Sequence, residues 1–223
     1  MSLNDQWMQR DLAVLWHPCT QMKDHEKLPL VPIRRAEGIW LEDFDGNRYL
    51  DAVSSWWTNI FGHCNPRIND RIKQQLDQLE HVMLAGFSHA PVIELSERLV
   101  AMTPEGLDRV FYADNGSSGI EVALKMSHHY WLNHDQPQKK RFATITNGYH
   151  GETLGTLAVG DVALFTETYK ALLMDCIKVP SPDCYHRPEG VSWEEHSRLM
   201  FELMRQTLAE HHHELAAVIL EPL

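Results

Sequence analysis

Apolar residues fall at helical spacing twice in the first half of the chain. Ile68, Ile72, Leu76, Leu79 and Met83 recur every three or four positions, with Asp, Arg, Lys and Gln between them, and Asn65-Pro66 opens the run. Ile93, Leu95, Leu99 and Val100 mark a second helix from about Pro91 to Ala101, closed by Thr103-Pro104-Glu105-Gly106. The first fifty residues read as loop-rich, with Pro18, Pro29 and Pro32 as breakers. Within Gly38–Ala52, bulky residues flank Asp45-Gly46, which predicts a hairpin.

Beyond Gly106 the pattern becomes strand, helix, strand. Arg109–Ala113 has strand composition. A long helix follows, with Ser118 and Glu121 as an S-x-x-E capping box and Ile120, Ala123, Leu124 and Trp131 on its apolar face. Next come a strand over Phe142–Thr146 and a turn over Asn147–Gly151. A helix capped by Ser192 and Glu195 then runs to about His213, and a strand covers Ala216–Leu220. Alternation of this kind predicts an α/β protein with a mostly parallel sheet over residues 63–223. A small α+β lobe with the hairpin, residues 1–62, precedes it. The sequence stops at Glu221-Pro222-Leu223, at the carboxyl end of a strand, where such sheets carry ligand loops. An incomplete N-terminal half of a larger domain is therefore expected.

Composition excludes several classes. A chain of 223 residues with 43% hydrophobic and 23% charged residues is a folded globular sequence. At that length it buries about 70% of its extended surface. The formal charge of −11 opposes nucleic acid and anionic membranes as partners. The longest wholly apolar stretch, Leu215–Leu220, is far short of the ~20 residues that span a bilayer. Cys19, Cys64, Cys176 and Cys184 show no C-x-x-C spacing, which argues against structural zinc and a disulfide framework. Met1–Asp11 lacks the apolar core of a signal peptide, so a cytoplasmic protein is expected. The paired His128-His129 and the run His211–His213 fan around helices and cannot converge on one ion, so no metal site is expected.

Three segments carry candidate chemistry. In Asp114-Asn115-Gly116-Ser117-Ser118, a strand leads through a glycine into a helix N-terminus, whose outward amides suit a phosphate. The lysine of a P-loop is absent, and an ordinary βα turn with a serine cap reads the same residues without a ligand. In Asn147-Gly148-Tyr149-His150-Gly151-Glu152, two glycines hold an aromatic beside an imidazole, either as a ring-stacking platform or as a tight turn with a surface Tyr. In Ser54-Ser55-Trp56-Trp57-Thr58, an extended segment would turn one Trp to the core and the other to a cavity. Such a ring wall accepts aliphatic chains and sulfonium groups.

Taken together, these motifs resemble the class III (subgroup II) pyridoxal-phosphate aminotransferases. DNGSSGIEVALKM and TNGYHGETLGT are similar to signatures of the class, and LWHP-x-T, DAVSSWW, HVMLAGFSHAP and LVAMTP to its branch in biotin biosynthesis. The resemblance implies the type I fold of pyridoxal-phosphate transferases, pyridoxal 5′-phosphate as cofactor and a homodimer. For that branch it implies S-adenosylmethionine as amino donor and 8-amino-7-oxononanoate as acceptor. Gly116 and Ser117 would hold the cofactor phosphate; Tyr149 would stack on its ring and border the substrate, with His150 beside it. Trp56 would line the substrate slot. Cys19 stands where the class usually has Tyr, which removes a ring and a phenol from substrate recognition. The Asp that pairs with the pyridine nitrogen and the Schiff-base Lys have no match in these residues, so the segment alone is expected to be inactive. Two other readings stay open: a class III enzyme acting on an ω-amino acid, and a non-catalytic cofactor- or phosphate-binding module.

Overall fold

The computed structural model describes residues 1–222; Leu223, the end of the Glu-Pro-Leu run, lies outside the described residues. The chain divides into two compact units, Met1–Glu97 and Arg98–Leu223. The expected boundary after residue 62 lies inside the first of them.

The first unit is built around a three-stranded antiparallel sheet of β1 (Ile33–Glu37), β2 (Trp40–Asp43) and β3 (Arg48–Leu50). Asp45-Gly46 makes the expected β2–β3 turn, and Trp40 pairs with Leu50. What the sequence pattern missed is α1 (Leu3–Leu12), capped by a Ser2–Asp5 box. Its anchor is polar. Asn4 Nδ2 donates to the fully buried Asp43 carboxylate (2.8 Å), the Phe44 amide donates to Asn4 Oδ1 (3.0 Å), and Trp7 stacks on Phe44 at 4.9 Å. Burial alone would raise the Asp43 pKa. Donors from Asn47, Asn4 and Tyr49 outweigh it and hold the carboxyl well below the usual range.

α2 (Ser54–Trp57) corrects the expectation of an extended Trp segment. Successive φ values of 50°, 47°, 63° and 67° make it a left-handed turn, and both rings stand out, Trp56 63% and Trp57 74% exposed. Left-handed L-residues cost about 1–2 kcal/mol each. Asp51 supplies the hold: its carboxylate accepts the Ser55 amide (2.9 Å), the Ser55 hydroxyl (2.8 Å) and His63 Nε2 (2.7 Å). Two helices follow, α3 (Pro66–Leu76), with Asn65 as N-cap and Pro66 at its first position, and α4 (Ala90–Val100). α3 stops seven residues before Met83, the last apolar position of the periodic run. The chain leaves helix geometry as the Gln75 side chain takes the Leu79 carbonyl (2.8 Å).

The second unit has a parallel sheet in the order β5-β4-β6, with β4 (Arg141–Ile145), β5 (Ile177–Val179) and β6 (Leu215–Ile219). β4 is central and buried on both faces, as βαβ packing demands. Phe142 points to one side and meets Leu124 of α5 (Gly116–Asn133) and Val159 of α6 (Leu154–Val159). Ala143 points to the other and meets Ile177, Leu215 and Leu208 of α8 (Trp193–His211). Each such large side chain contributes about 1.5–3 kcal/mol on burial. Trp131 Nε1 also donates to the Ala216 carbonyl at 2.7 Å, fixing α5 along β6.

Three local expectations in this unit need correction or addition. Arg109–Ala113 carries no strand; it pairs with none of β4, β5 and β6, and strand-forming residues need a ladder partner. α5 is capped by Asn115, whose side chain accepts the Ser118 amide (2.8 Å), so it starts two residues before the expected box and leaves Glu121 for another task. Short α7 (Ala163–Thr166), a 3-10 turn over Glu167–Leu172 and β5 itself had no sequence signal. The Ser192–Glu195 box on α8 forms as expected. No helix among the described residues is long and apolar enough to cross a membrane.

Candidate cofactor site

Two chain segments meet in the second unit. The first is the start of α5. Gly116 and Ser117 are first-turn residues, whose amides have no partner inside the helix and carry its positive end. A Cβ built on Gly116 meets nothing within 4 Å, so an anion can approach that backbone. The two serines differ. Ser118 gives its amide to Asn115, and its hydroxyl is the leading cause of the lowered Asp114 pKa. Ser117 Oγ accepts the Glu152 amide at 3.3 Å, which leaves its hydroxyl proton to donate elsewhere.

The second segment follows β4. Asn147 takes φ 63°, and its amide donates to Asp161 Oδ2 (3.2 Å), while the Asp161 amide returns to the Gly148 carbonyl (2.9 Å). Asp161 is itself paired with Lys178 on β5. The Tyr149 amide donates to Glu221 Oε2 (2.8 Å) and its hydroxyl to Glu152 Oε1 (3.2 Å). Its ring lies 5.5 Å from Phe165 and is 42% exposed, so one part is braced and another open. His150 Nε2 is buried without a hydrogen-bond partner among the described residues. Burial lowers its pKa, with the Glu221 charge pulling the other way. Nε2 lies against Gly148, where an added Cβ would stand 3.5 Å from it, and a buried imidazole nitrogen left unsatisfied suits completion by a bound polar group.

The two segments touch at Gly151. There φ is 123°, and an added Cβ would stand 2.2 Å from Ser117 Oγ. The structure thus brings Gly116 and Ser117 up to the loop of Tyr149 and His150. A phosphorylated pyridine fits these residues: donors and open space at the helix start, and a part-exposed ring surface one loop away.

Trp56 and Cys19 belong to the first unit. Trp56 shares an open apolar hollow with Val53, Ser55 and Trp57. Cys19 is an exposed free thiol at φ 56°, just beyond His17, which pairs with Asp11 at 2.6 Å. Among the described residues no group of three or more His, Cys, Asp or Glu is arranged to hold a metal. The residues that sequence reasoning missed are Glu121, read as a cap, and Glu221, read as a chain end. Glu221 holds the Tyr149 amide and Glu121 the Thr153 hydroxyl, each through a contact more than thirty residues apart, which no local pattern encodes.

An α/β unit with a helix N-terminus beside a glycine-framed aromatic loop makes a candidate cofactor half-site. The class follows: residues 21–223 match the family model "Aminotransferase class-III", and the chain belongs to that family. Among curated relatives, the adenosylmethionine-8-amino-7-oxononanoate aminotransferase of Helicobacter pylori is 47% identical over 96% of this chain and 47% of its own length. Among solved structures, the enzyme of the same name from Methanocaldococcus jannaschii superposes with a TM-score of 0.83 at 34% identity, over 96% of this chain and 46% of that one. An omega transaminase from Pseudomonas jessenii, solved in complex with PMP, gives 0.88 at 29% identity, over 100% and 49%. The fold is that of these aminotransferases. The chain spans about half the length of the relatives it matches.

Proposed function

We propose that this chain supplies the phosphate cradle and ring platform of a pyridoxal-phosphate aminotransferase that moves the amino group of S-adenosylmethionine to 8-amino-7-oxononanoate. The observation that carries it is the meeting of Ser117 with the Tyr149–Gly151 turn. The 47% identity to a relative of that name supports the choice of substrates. Bound pyridoxal phosphate supplies the electron sink and amino carrier of the reaction.

The chain's own residues do the rest. Gly116 admits the phosphate to the helix amides, and Ser117 adds a hydroxyl donor. Tyr149 covers one face of the ring and excludes water from it. His150, whose pKa burial lowers, would offer Nε2, unsatisfied among the described residues, as a hydrogen-bonding group beside the ring. Trp56 borders the methylene chain of the acceptor and the sulfonium of the donor. Cys19 offers a smaller, softer wall where the class usually has a phenol. A cytoplasmic homodimer completes the reading; four free cysteines suit a reducing compartment. Exposed apolar side chains such as Phe61, Leu164 and Phe201 suit cover by further polypeptide.

The test is amino transfer by the full-length protein, followed by mass spectrometry of the acceptor. Conversion of 8-amino-7-oxononanoate to 7,8-diaminononanoate with S-adenosylmethionine is the expected result. The fold match to an omega transaminase favours a second reading, and amination only from an ω-amino acid would establish it. No transfer from any donor would leave a non-catalytic binding module.

A further inference from the structure

Glu121 lies one helical turn beyond Ser117 on the same face of α5. Its carboxylate Oε1 accepts the Thr153 hydroxyl at 2.6 Å and the Gly155 amide at 2.9 Å. Thr153 is the N-cap of α6 but makes no side-chain cap bond within that helix. Gly155 is a first-turn residue of α6, so its amide has no partner inside the helix. The charge on α5 therefore caps α6 from outside, across thirty-four residues. Contact is close: a Cβ on Gly155 would stand 2.5, 2.6 and 2.7 Å from three atoms of the Glu121 carboxyl group, so a side chain there would push that carboxylate off its two bonds. The same design recurs one turn earlier, where Ser117 accepts the Glu152 amide and abuts Gly151. Of the two rungs, Glu121 is the stronger, accepting two short bonds at one carboxyl oxygen, whereas the Ser117 bond is 3.3 Å long.

We propose that Glu121 is a positioning residue: by holding Thr153 and Gly155 to α5, it sets the distance between the Gly116–Ser117 cradle and the Tyr149–His150 platform. The attachment stands on geometry alone. Its consequence for ligand binding rests on the reading of those four residues given above.

The experiment compares Glu121→Ala, Glu121→Gln, Gly155→Ala and the double variant Glu121→Ala/Gly155→Ala in the full-length protein. Amide hydrogen exchange at Glu152 and Gly155 reports the attachment. Affinity for pyridoxamine 5′-phosphate reports cradle and platform together, and affinity for inorganic phosphate reports the cradle alone. Glu121→Ala should speed exchange at Gly155 and weaken pyridoxamine 5′-phosphate about tenfold or more, with phosphate affinity held within about twofold. Glu121→Gln keeps an acceptor oxygen and should recover most of the loss; it also serves should the alanine variant not fold. Gly155→Ala should reproduce Glu121→Ala, yet add nothing in the double variant, where the carboxylate it displaces is gone. Unchanged Gly155 exchange in Glu121→Ala, or a full additional loss from Gly155→Ala in the double variant, overturns the attachment. Equal loss of phosphate and pyridoxamine 5′-phosphate overturns the spacing role. A parent protein that binds neither ligand overturns the cofactor reading and with it the spacing role, while the exchange data still decide the attachment.

Discussion

Replacing Gly151 with alanine asks the backbone for two things that this geometry refuses. At φ 123° the residue sits where side chains are essentially not tolerated, at a cost of about 1–3 kcal/mol. The new Cβ would also stand 2.2 Å from Ser117 Oγ, 3.0 Å from Ser117 Cβ and 3.1 Å from Thr156 Oγ1. Rotating Ser117 moves its hydroxyl but not its Cβ, and Thr156 is fully buried with no room to retreat. Loop or helix must shift, and overpacking of that kind costs about 1–3 kcal/mol more. The two effects sum to about 2–6 kcal/mol, or a fall in melting temperature of about 5–20 °C for a domain of this size. Calorimetry of the full-length Gly151→Ala protein measures the first loss, and titration with pyridoxamine 5′-phosphate the second, since the displaced hydroxyl is a cradle donor. Ser117→Gly in the same background should return part of the stability and none of the affinity. A Gly151→Ala protein that melts within 2 °C of the parent, by the same conversion under ~1 kcal/mol, would refute the close approach of α5 and the loop.

Three further outcomes follow from particular side chains. With both rings more than half exposed, Trp56→Ala and Trp57→Ala should each cost under about 2 kcal/mol, against about 3–5 for a core Trp, while Trp56→Ala alone raises KM for the keto acceptor; melting curves beside steady-state kinetics decide it, and a large loss of stability in either contradicts the exposed turn. The Ser55 amide, then the His63 ring and the Ser55 hydroxyl, hold the Asp51 carboxyl down at about 2 from 3.8, so their stabilisation is complete above the higher value and lost as pH falls through the lower. Protection of the Ser55 amide, its exchange taken relative to the intrinsic rate at each pH, should hold through pH 4 and fall towards about 2; protection already falling at pH 4 or above would deny the brace. Burial, the leading cause, pushes the Cys176 thiol up to about 11, so at pH 8 iodoacetamide should label exposed Cys19 and Cys64 and spare Cys176, as peptide mass spectrometry can check.

The sequence disclosed what is local. Asp45-Gly46, Asn65-Pro66 and Ser192–Glu195 fix their turn and helix starts through bonds only a few residues long, and all three form. The residues of the candidate cradle and of the Tyr149 loop stood out for the same reason, since a glycine at a helix start or in a tight turn is visible without a distant partner. What stayed hidden depends on distance. α1 owes its place to Asn4 reaching Asp43 across thirty-nine residues, and its own apolar pattern is weak. Arg109–Ala113 looked like a strand because aromatic and β-branched residues favour ladders, yet a ladder needs a partner, and this segment pairs with none of β4, β5 and β6. Trp56 and Trp57 were misjudged because alternation assumes an extended chain, whereas Asp51 winds this one to the left. Glu121 was misread because S-x-x-E is a helix-start pattern only if Ser is the cap, and Asn115 had already taken that place.

The central claim is that the start of α5 receives the cofactor's phosphate, and calorimetric titration of the full-length protein with pyridoxamine 5′-phosphate, parent against Ser117→Ala, tests it without requiring turnover. One hydrogen bond to a charged group contributes about 1.5–3 kcal/mol, so the variant should bind roughly 10–150-fold more weakly. Equal affinity in the two proteins would contradict the claim.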